Sequence, residues 1–342
     1  LTGSLRAVNN SLMNFHLFLW LLAASGRHAR ILLPLGVVLA LLLPSSGAFF
    51  KPAAPYILAV LIGAALVRLD IGAVLKAAIQ PQRLIRNFAI SLGLLIIVPV
   101  VFFTAAKWFG LPDHFLPLMT WYAVAPPIGT TIWMCILLGF TAPIAMEIVV
   151  LTNLLAPFTG PYLGEYLLGA AVPISSAMLC LRLGIILGGG LLLALLAKKI
   201  LGEDRIEANR HQLDGVSTLS MLAFLLPVFD GIGAMVMAVP ILALACLGLV
   251  FGLNFGSQAL VFAGGRLLGR FGQFERAASG KAMPFPEGTR SVAVVAGNRN
   301  LGLYFAALPA DPLFALFVAA YQLPLYLTPM VAGWFADRSQ KT

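Results

Sequence analysis

Arg299 stands between two asparagines, Asn298 and Asn300, in a run, Ala296-Gly297-Asn298-Arg299-Asn300, that interrupts an apolar segment. A guanidinium at membrane depth costs about 2.5 to 3.5 kcal/mol on insertion scales, so it faces a partner or a cavity. Its planar fork of donors suits a carboxylate or similar oxyanion. The plainer reading is a permanent ion pair that locks the chain in place. Glu147, in Pro143-Ile144-Ala145-Met146-Glu147, is the only acid well inside an apolar stretch. A carboxylate alone in apolar surroundings takes up a proton, whereas one beside a guanidinium stays charged. Glu147 therefore reads either as a structural partner of Arg299 or Arg182, or as a proton carrier or polar gate.

A second interruption, Ala125-Pro126-Pro127-Ile128-Gly129-Thr130-Thr131, lies in the first half of the chain. About 30 residues beyond each break an apolar segment carries a proline, Pro157 in the first half and Pro329 in the second. Helices that stop at mid-depth leave backbone groups without partners, which is tolerated only where they are buried in protein or line a polar cavity. Matched breaks in two halves point to a secondary transporter's binding site. Pro126, Pro127, Gly129 and Gly297 are the expected breaking residues. Thr130, Thr131, Asn298, Arg299, Asn300 and Gln322 are the candidate substrate-binding residues, and Glu147 with Arg299 is a candidate coupling group or ion pair.

The elements that must hold these residues are membrane helices. Sixty percent of the 342 residues are hydrophobic and 10% are charged, against roughly 25% charged in a soluble domain. Apolar stretches near 30–46, 53–69, 87–109, 113–139, 142–164, 173–199, 214–230, 233–264, 288–308 and 312–336 predict ten transmembrane helices. Eighteen of the 22 Lys and Arg fall into five clusters at the N-terminus, alternate loops and the C-terminus. By the positive-inside rule this puts both termini in the cytoplasm and the chain in the cytoplasmic membrane. The net charge of +9 therefore implies anionic lipid along the inner face, with Arg266 to Arg290 as a basic loop, and not nucleic acid.

Residues 1–28 read as an N-terminal segment whose apolar part, 11–24, forms an interfacial or peripheral helix. The polar stretch 202–213 is expected to be a cytoplasmic linker between a first five-helix repeat over 29–201 and an inverted second repeat over 214–336. Residues 337–342 form a cytoplasmic tail. Cys135, Cys180 and Cys246 are isolated in apolar runs and the four histidines are scattered, so no metal, cofactor or catalytic cluster is predicted and the chain does not read as an enzyme.

Five stretches together resemble the bile acid:sodium symporter superfamily over about residues 29–336. They are VAPPIGTT, EIVVLTNLLAPFTGPYL, GLNFGSQALVFAGG, RSVAVVAGNRNLGL and LFALFVAAYQLPLY. The resemblance implies an all-α polytopic fold of ten crossings in an inverted five-plus-five repeat, a panel and a core domain, and two discontinuous helices that cross at the substrate and sodium sites. It also implies an Asn near substrate at Asn300. The positions matching the family's sodium ligands are Val295, Arg299, Thr131, Ile132, Ala145, Val149 and Leu94. Sodium needs a cage of oxygens, which Val, Ala, Leu and Ile do not supply, and a guanidinium repels a cation. The two sodium sites are therefore read as lost.

The expected function is secondary transport of a small organic anion by alternating access, with the proton as an alternative coupling ion. The rivals are a sodium symporter whose ions are held by backbone carbonyls, and a non-transporting receptor on the same fold.

Overall fold

The computed structural model describes residues 17–42, 50–67, 69, 72, 80–169, 172–279 and 285–339. Among them the regular structure is helical. Six helices are long and apolar enough to cross a membrane: Arg83–Trp108, Ala142–Leu168, Ser176–Leu201, Arg210–Phe229, Pro240–Leu267 and Pro312–Pro329. The protein is thus a multi-pass α-helical membrane protein. Of the ten predicted stretches, two others are short apolar helices and two are interrupted.

The chain begins its described course as α1 (Leu17–Arg27), which meets the following apolar helix across a bend of 91°. Residues 1–16 of the predicted N-terminal segment lie outside the described residues. The short helices are α2 (Ala29–Leu42) and α3 (Ala54–Val67). Next come α4 (Pro81–Leu92), a π-turn at Gly93–Ile97, and α5 (Val98–Trp108). Pro99 lacks the N–H that the Leu95 carbonyl would accept, so the i→i−4 ladder gives way there to a wider turn.

The first interrupted helix is α6 (Leu116–Val124) and α7 (Thr130–Leu137), followed by the long α8 (Ala142–Leu168). The chain continues through α9 (Ser176–Leu201), α10 (Glu203–Ala208), α11 (Arg210–Phe229), α12 (Ile232–Ala238) and α13 (Pro240–Ser279). The second interrupted helix is α14 (Phe285–Gly297) and α15 (Leu301–Ala307), followed by the long α16 (Pro312–Ser339).

Three expectations change here. The stretch 202–213 carries the helix α10 with Ile206 buried, and six of the ten apolar stretches precede it, so it does not divide the set evenly. The predicted basic loop from Arg266 to Arg290 is largely helical, since α13 runs to Ser279 and α14 starts at Phe285. Of the tail, residues 337–339 belong to α16 and 340–342 lie outside the described residues.

The chain forms two compact units. One contains residues 1–69 and 185–233, the other 70–184 and 234–342. In the first, α3 and α2 pack on α11. Val67, Ala194 and Ile206 form a buried cluster, and the Lys198 ammonium donates to the Leu69 carbonyl at 2.5 Å. The second unit contains both interrupted helices. There α13 packs on α14 and α16, while α8 packs on α4, α6, α7 and α14. Gly160 and Gly164 on α8 make a G-x-x-x-G face, the small-residue surface that lets membrane helices approach closely. A Cβ at Gly164 would lie 2.6 Å from the Trp121 ring, and one at Gly160 would overlap the Tyr304 hydroxyl. One face of α8 thus receives an aromatic from each interrupted helix, Trp121 from α6 and Tyr304 from α15, whose rings stand 5.3 Å apart.

Candidate functional site

The two interruptions meet. Pro127 and Arg299 form an isolated antiparallel bridge, flanked by Ile128 N–H to the Asn298 carbonyl at 3.0 Å and Asn300 N–H to the Pro126 carbonyl at 2.7 Å. Pro126 and Pro127 have no N–H to continue α6, and a proline forces its predecessor out of helical geometry. Ala125 accordingly takes φ −65° and ψ 138°. With the helix stopped, the free backbone pairs with that of the second interruption, which is in the same condition.

Arg299 is buried, at 1% exposure. Its Nε donates to the Ala296 carbonyl at 2.8 Å and its Nη1 to the Ala125 carbonyl at 3.1 Å. Ala296 lies in the last turn of α14 and Ala125 ends α6. The last carbonyls of a helix lack intrahelical partners and carry its negative dipole end. The guanidinium therefore joins two negative helix ends across the bridge. Among the described residues it makes no ion pair, and the Tyr122 and Tyr321 hydroxyls are its polar neighbours.

Every carbonyl from Ala125 to Ile128 and from Ala296 to Asn298 has a donor. The Pro127 carbonyl takes the Asn153 amide at 3.1 Å, and the Ile128 carbonyl takes the Thr131 hydroxyl at 2.6 Å. Three donors reach the Gly297 carbonyl: the hydroxyls of Tyr122 and Tyr321, both at 2.9 Å, and the Asn254 amide at 2.7 Å. The Tyr321 hydroxyl also accepts the Arg299 backbone N–H at 2.6 Å. Behind it the Asn254 carboxamide oxygen accepts the Gln258 amide at 2.7 Å. The Thr328 hydroxyl stands 3.1 Å from the Asn298 carboxamide oxygen and donates to the Pro324 carbonyl at 2.8 Å. A buried polar network is stable only when it is filled in this way.

Of the candidate substrate residues, Thr130 opens α7 half-buried beside the bridge. Asn300 precedes α15 and is buried, and among the described residues its side-chain amide has no hydrogen-bond partner. Thr131 and Asn298 spend side-chain groups on local carbonyls, those of Ile128 and Val294. Gln322 donates to the Val318 carbonyl of its own helix at 3.2 Å.

Glu147 is not the partner of Arg299 or Arg182. At 8% exposure, its carboxylate accepts the Asn87 amide and lies 3.6 Å from the Arg86 guanidinium, which is 31% exposed. Arg182 instead donates to the Ala307 carbonyl at 2.9 Å, at the end of α15. The positions matching sodium ligands, Leu94, Ile132, Ala145, Val149 and Val295, are buried apolar side chains. No His, Cys, Asp and Glu group among the described residues is built to hold a metal.

Sequence reading missed Tyr122, Asn153, Asn254, Gln258, Tyr321 and Thr328 as parts of this crossing. Asn254 and Gln258 carried one signal, two carboxamides one helical turn apart in an apolar run. Tyr321 carried a faint one, since with Gln322 it stands where the resembling family has a polar pair, and Tyr122 carried none, because its acceptors are 131 and 175 residues away. No protein-family model matches the chain, and no curated protein matches it in sequence.

Proposed function

We propose that the protein is a secondary transporter that moves a small organic anion by alternating access, on a fold of the bile acid:sodium symporter type. One observation carries the reading: a buried arginine that has no carboxylate partner among the described residues, at the meeting point of two interrupted helices. A positive charge held by neutral carbonyls alone, in low dielectric, favours an anion beside it. Thr130 and the unengaged Asn300 amide supply neutral hydrogen-bonding groups next to it. The Thr130 and Leu301 N–H groups, first in α7 and α15, lack intrahelical partners, whereas those of Thr131, Ile132 and Leu303 already meet the Ile128, Gly129 and Asn300 carbonyls.

The two compact units also fit this reading. Each takes part of the chain before Gly169 and part after it, as a panel and a core built from two halves would. In that arrangement α2 to α8 and α9 to α16 are the inverted repeats, each ending in an interrupted helix and a long one. The halves then divide near Gly169 and not at 202–213. Both termini lie in the cytoplasm by the charge pattern. Sodium is not the coupling ion in this proposal, because five of the seven matching positions carry apolar side chains, a sixth is the Arg299 guanidinium, and the carbonyls of both breaks already have donors.

The test is ligand-induced stabilisation of the purified wild-type protein across monocarboxylates, dicarboxylates and sulfonates, with neutral analogues alongside. Hits are followed by counterflow in proteoliposomes. At least one organic anion raises Tm, since a ligand bound only to the folded state raises apparent stability. Asn300→Ala and Thr130→Ala weaken that shift without changing the unliganded Tm. Stabilisation by neutral analogues alone, or a stabilising anion that is never exchanged across the vesicle, overturns the proposal.

A further inference from the structure

We infer that the two helix ends meeting at the crossing form a cation site that the protein fills with its own side chain. Arg299 is then a positioning residue that holds α6 to α14 whether or not a free ion is present. Two negative helix ends brought together repel each other unless a cation stands between them. Here the cation is the guanidinium, with Nε on the Ala296 carbonyl and Nη1 on the Ala125 carbonyl. Each bond is made to a different helix end, so cutting the side chain removes the one charged tie between the ends and leaves the backbone bridge and the Tyr122 bond to the Gly297 carbonyl in place.

The partners of Arg299 fit a fixed counter-charge. Among the described residues no acid pairs with it, and both of its side-chain hydrogen bonds go to the two helix ends. Its backbone is held independently, by the bridge to Pro127 and by the N–H bond to the Tyr321 hydroxyl. Removing the side chain therefore leaves two carbonyls aimed at an empty, cation-shaped space inside an otherwise intact frame. A planar cation of the same kind, free guanidinium or an alkylguanidinium, matches the space that remains, because it restores both the charge and the donor geometry.

This inference shares the fixed charge with the proposed transport but does not need the substrate. Its readout is stability without any anion. Failure of anion binding in the wild type would leave it standing, and its own failure would leave the wild-type anion screen unaffected.

The experiment is thermal unfolding of Arg299→Ala in detergent with millimolar guanidinium or ethylguanidinium, far below denaturing concentrations, and with equimolar urea as the neutral planar control. Arg299→Ala lowers Tm on the order of 10 °C, the scale of removing one partner of a buried charged contact. Guanidinium recovers part of that loss, urea none, and the wild type responds to neither. An Arg299→Ala protein as stable as wild type, or a recovery equal in guanidinium and urea, overturns the inference. If the alanine variant does not fold, Arg299→Lys and Arg299→Gln decide. Lysine keeps a cation at the carbonyls and retains more stability than glutamine, and equal losses overturn the inference.

Discussion

The Tyr321 hydroxyl accepts the Arg299 backbone N–H at 2.6 Å and donates to the Gly297 carbonyl at 2.9 Å. One phenol on α16 thus satisfies both sides of the α14 break, where no helical partner exists for either group. Tyr122 reaches the same carbonyl from α6, but there it is one of three donors.

Tyr321→Phe is accordingly the costlier change of the two. It strands the buried Arg299 N–H, at about 1–3 kcal/mol for an unsatisfied buried group. Tyr122→Phe leaves the Gly297 carbonyl with two donors and costs about 1 kcal/mol or less. Unfolding of both variants under one set of conditions ranks them, and the reverse order would show that the phenol of α6 carries the break.

Gly160 and Tyr304 make a steric pair. A methyl at Gly160 would occupy the place of the Tyr304 hydroxyl, so Gly160→Ala costs about 1–3 kcal/mol through overpacking. That hydroxyl is buried and has no hydrogen-bond partner among the described residues. Tyr304→Phe is therefore neutral or stabilising, and the double variant recovers most of the Gly160→Ala loss. Additive losses in the double variant would place the strain elsewhere.

Arg299 and Glu147 do not touch, and mutations at separate sites add within about 0.3–0.5 kcal/mol. A double-mutant cycle between Arg299→Gln and Glu147→Gln shows coupling no larger than that. The cycle between Asn87→Ala and Glu147→Gln shows more, because the carboxylate accepts the Asn87 amide. The Arg86 contact contributes less than its charges suggest, since a guanidinium exposed by 31% is screened by solvent. Uptake by Glu147→Gln that keeps the wild-type response to an imposed pH gradient rules Glu147 out as the proton carrier.

Exchange of sodium for potassium at fixed ionic strength leaves substrate binding nearly unchanged. The measurement is a titration of any stabilising anion in the two salts. A strong and selective sodium requirement would return the backbone-carbonyl symporter to first place.

The interruptions were legible in the sequence because their cause is local. Pro126 and Pro127 remove donors from the chain itself, and Gly297 with two asparagines cannot sustain an apolar helix. Arg299 was legible as an expensive residue that must be held, but not what holds it, since backbone carbonyls leave no mark in a sequence. The partner of Glu147 was not legible because Arg86, in the middle of α4, belongs to one of the five basic clusters that the charge pattern assigns to a loop. The polar stretch after Gly202 looked like a midpoint because it is the longest, although length of polarity says nothing of how many helices stand on either side. Tyr122 and Thr328 were invisible as site residues, and the bonds of Tyr321 could not be foreseen, because a hydroxyl's acceptor is set by packing and not by spacing.

The bridge between Pro127 and Arg299 has a consequence for amide exchange. Interrupted membrane helices are expected to be soft points, yet the Ile128 and Asn300 amides are paired across the crossing and the Arg299 amide is capped by a phenol. Deuterium would therefore enter these three positions slowly, as in the middle of a helix, while Thr130 and Leu301 just beyond them exchange early. The crossing is a knot of low local flexibility, so a conformational change in this protein carries both breaks along as one piece.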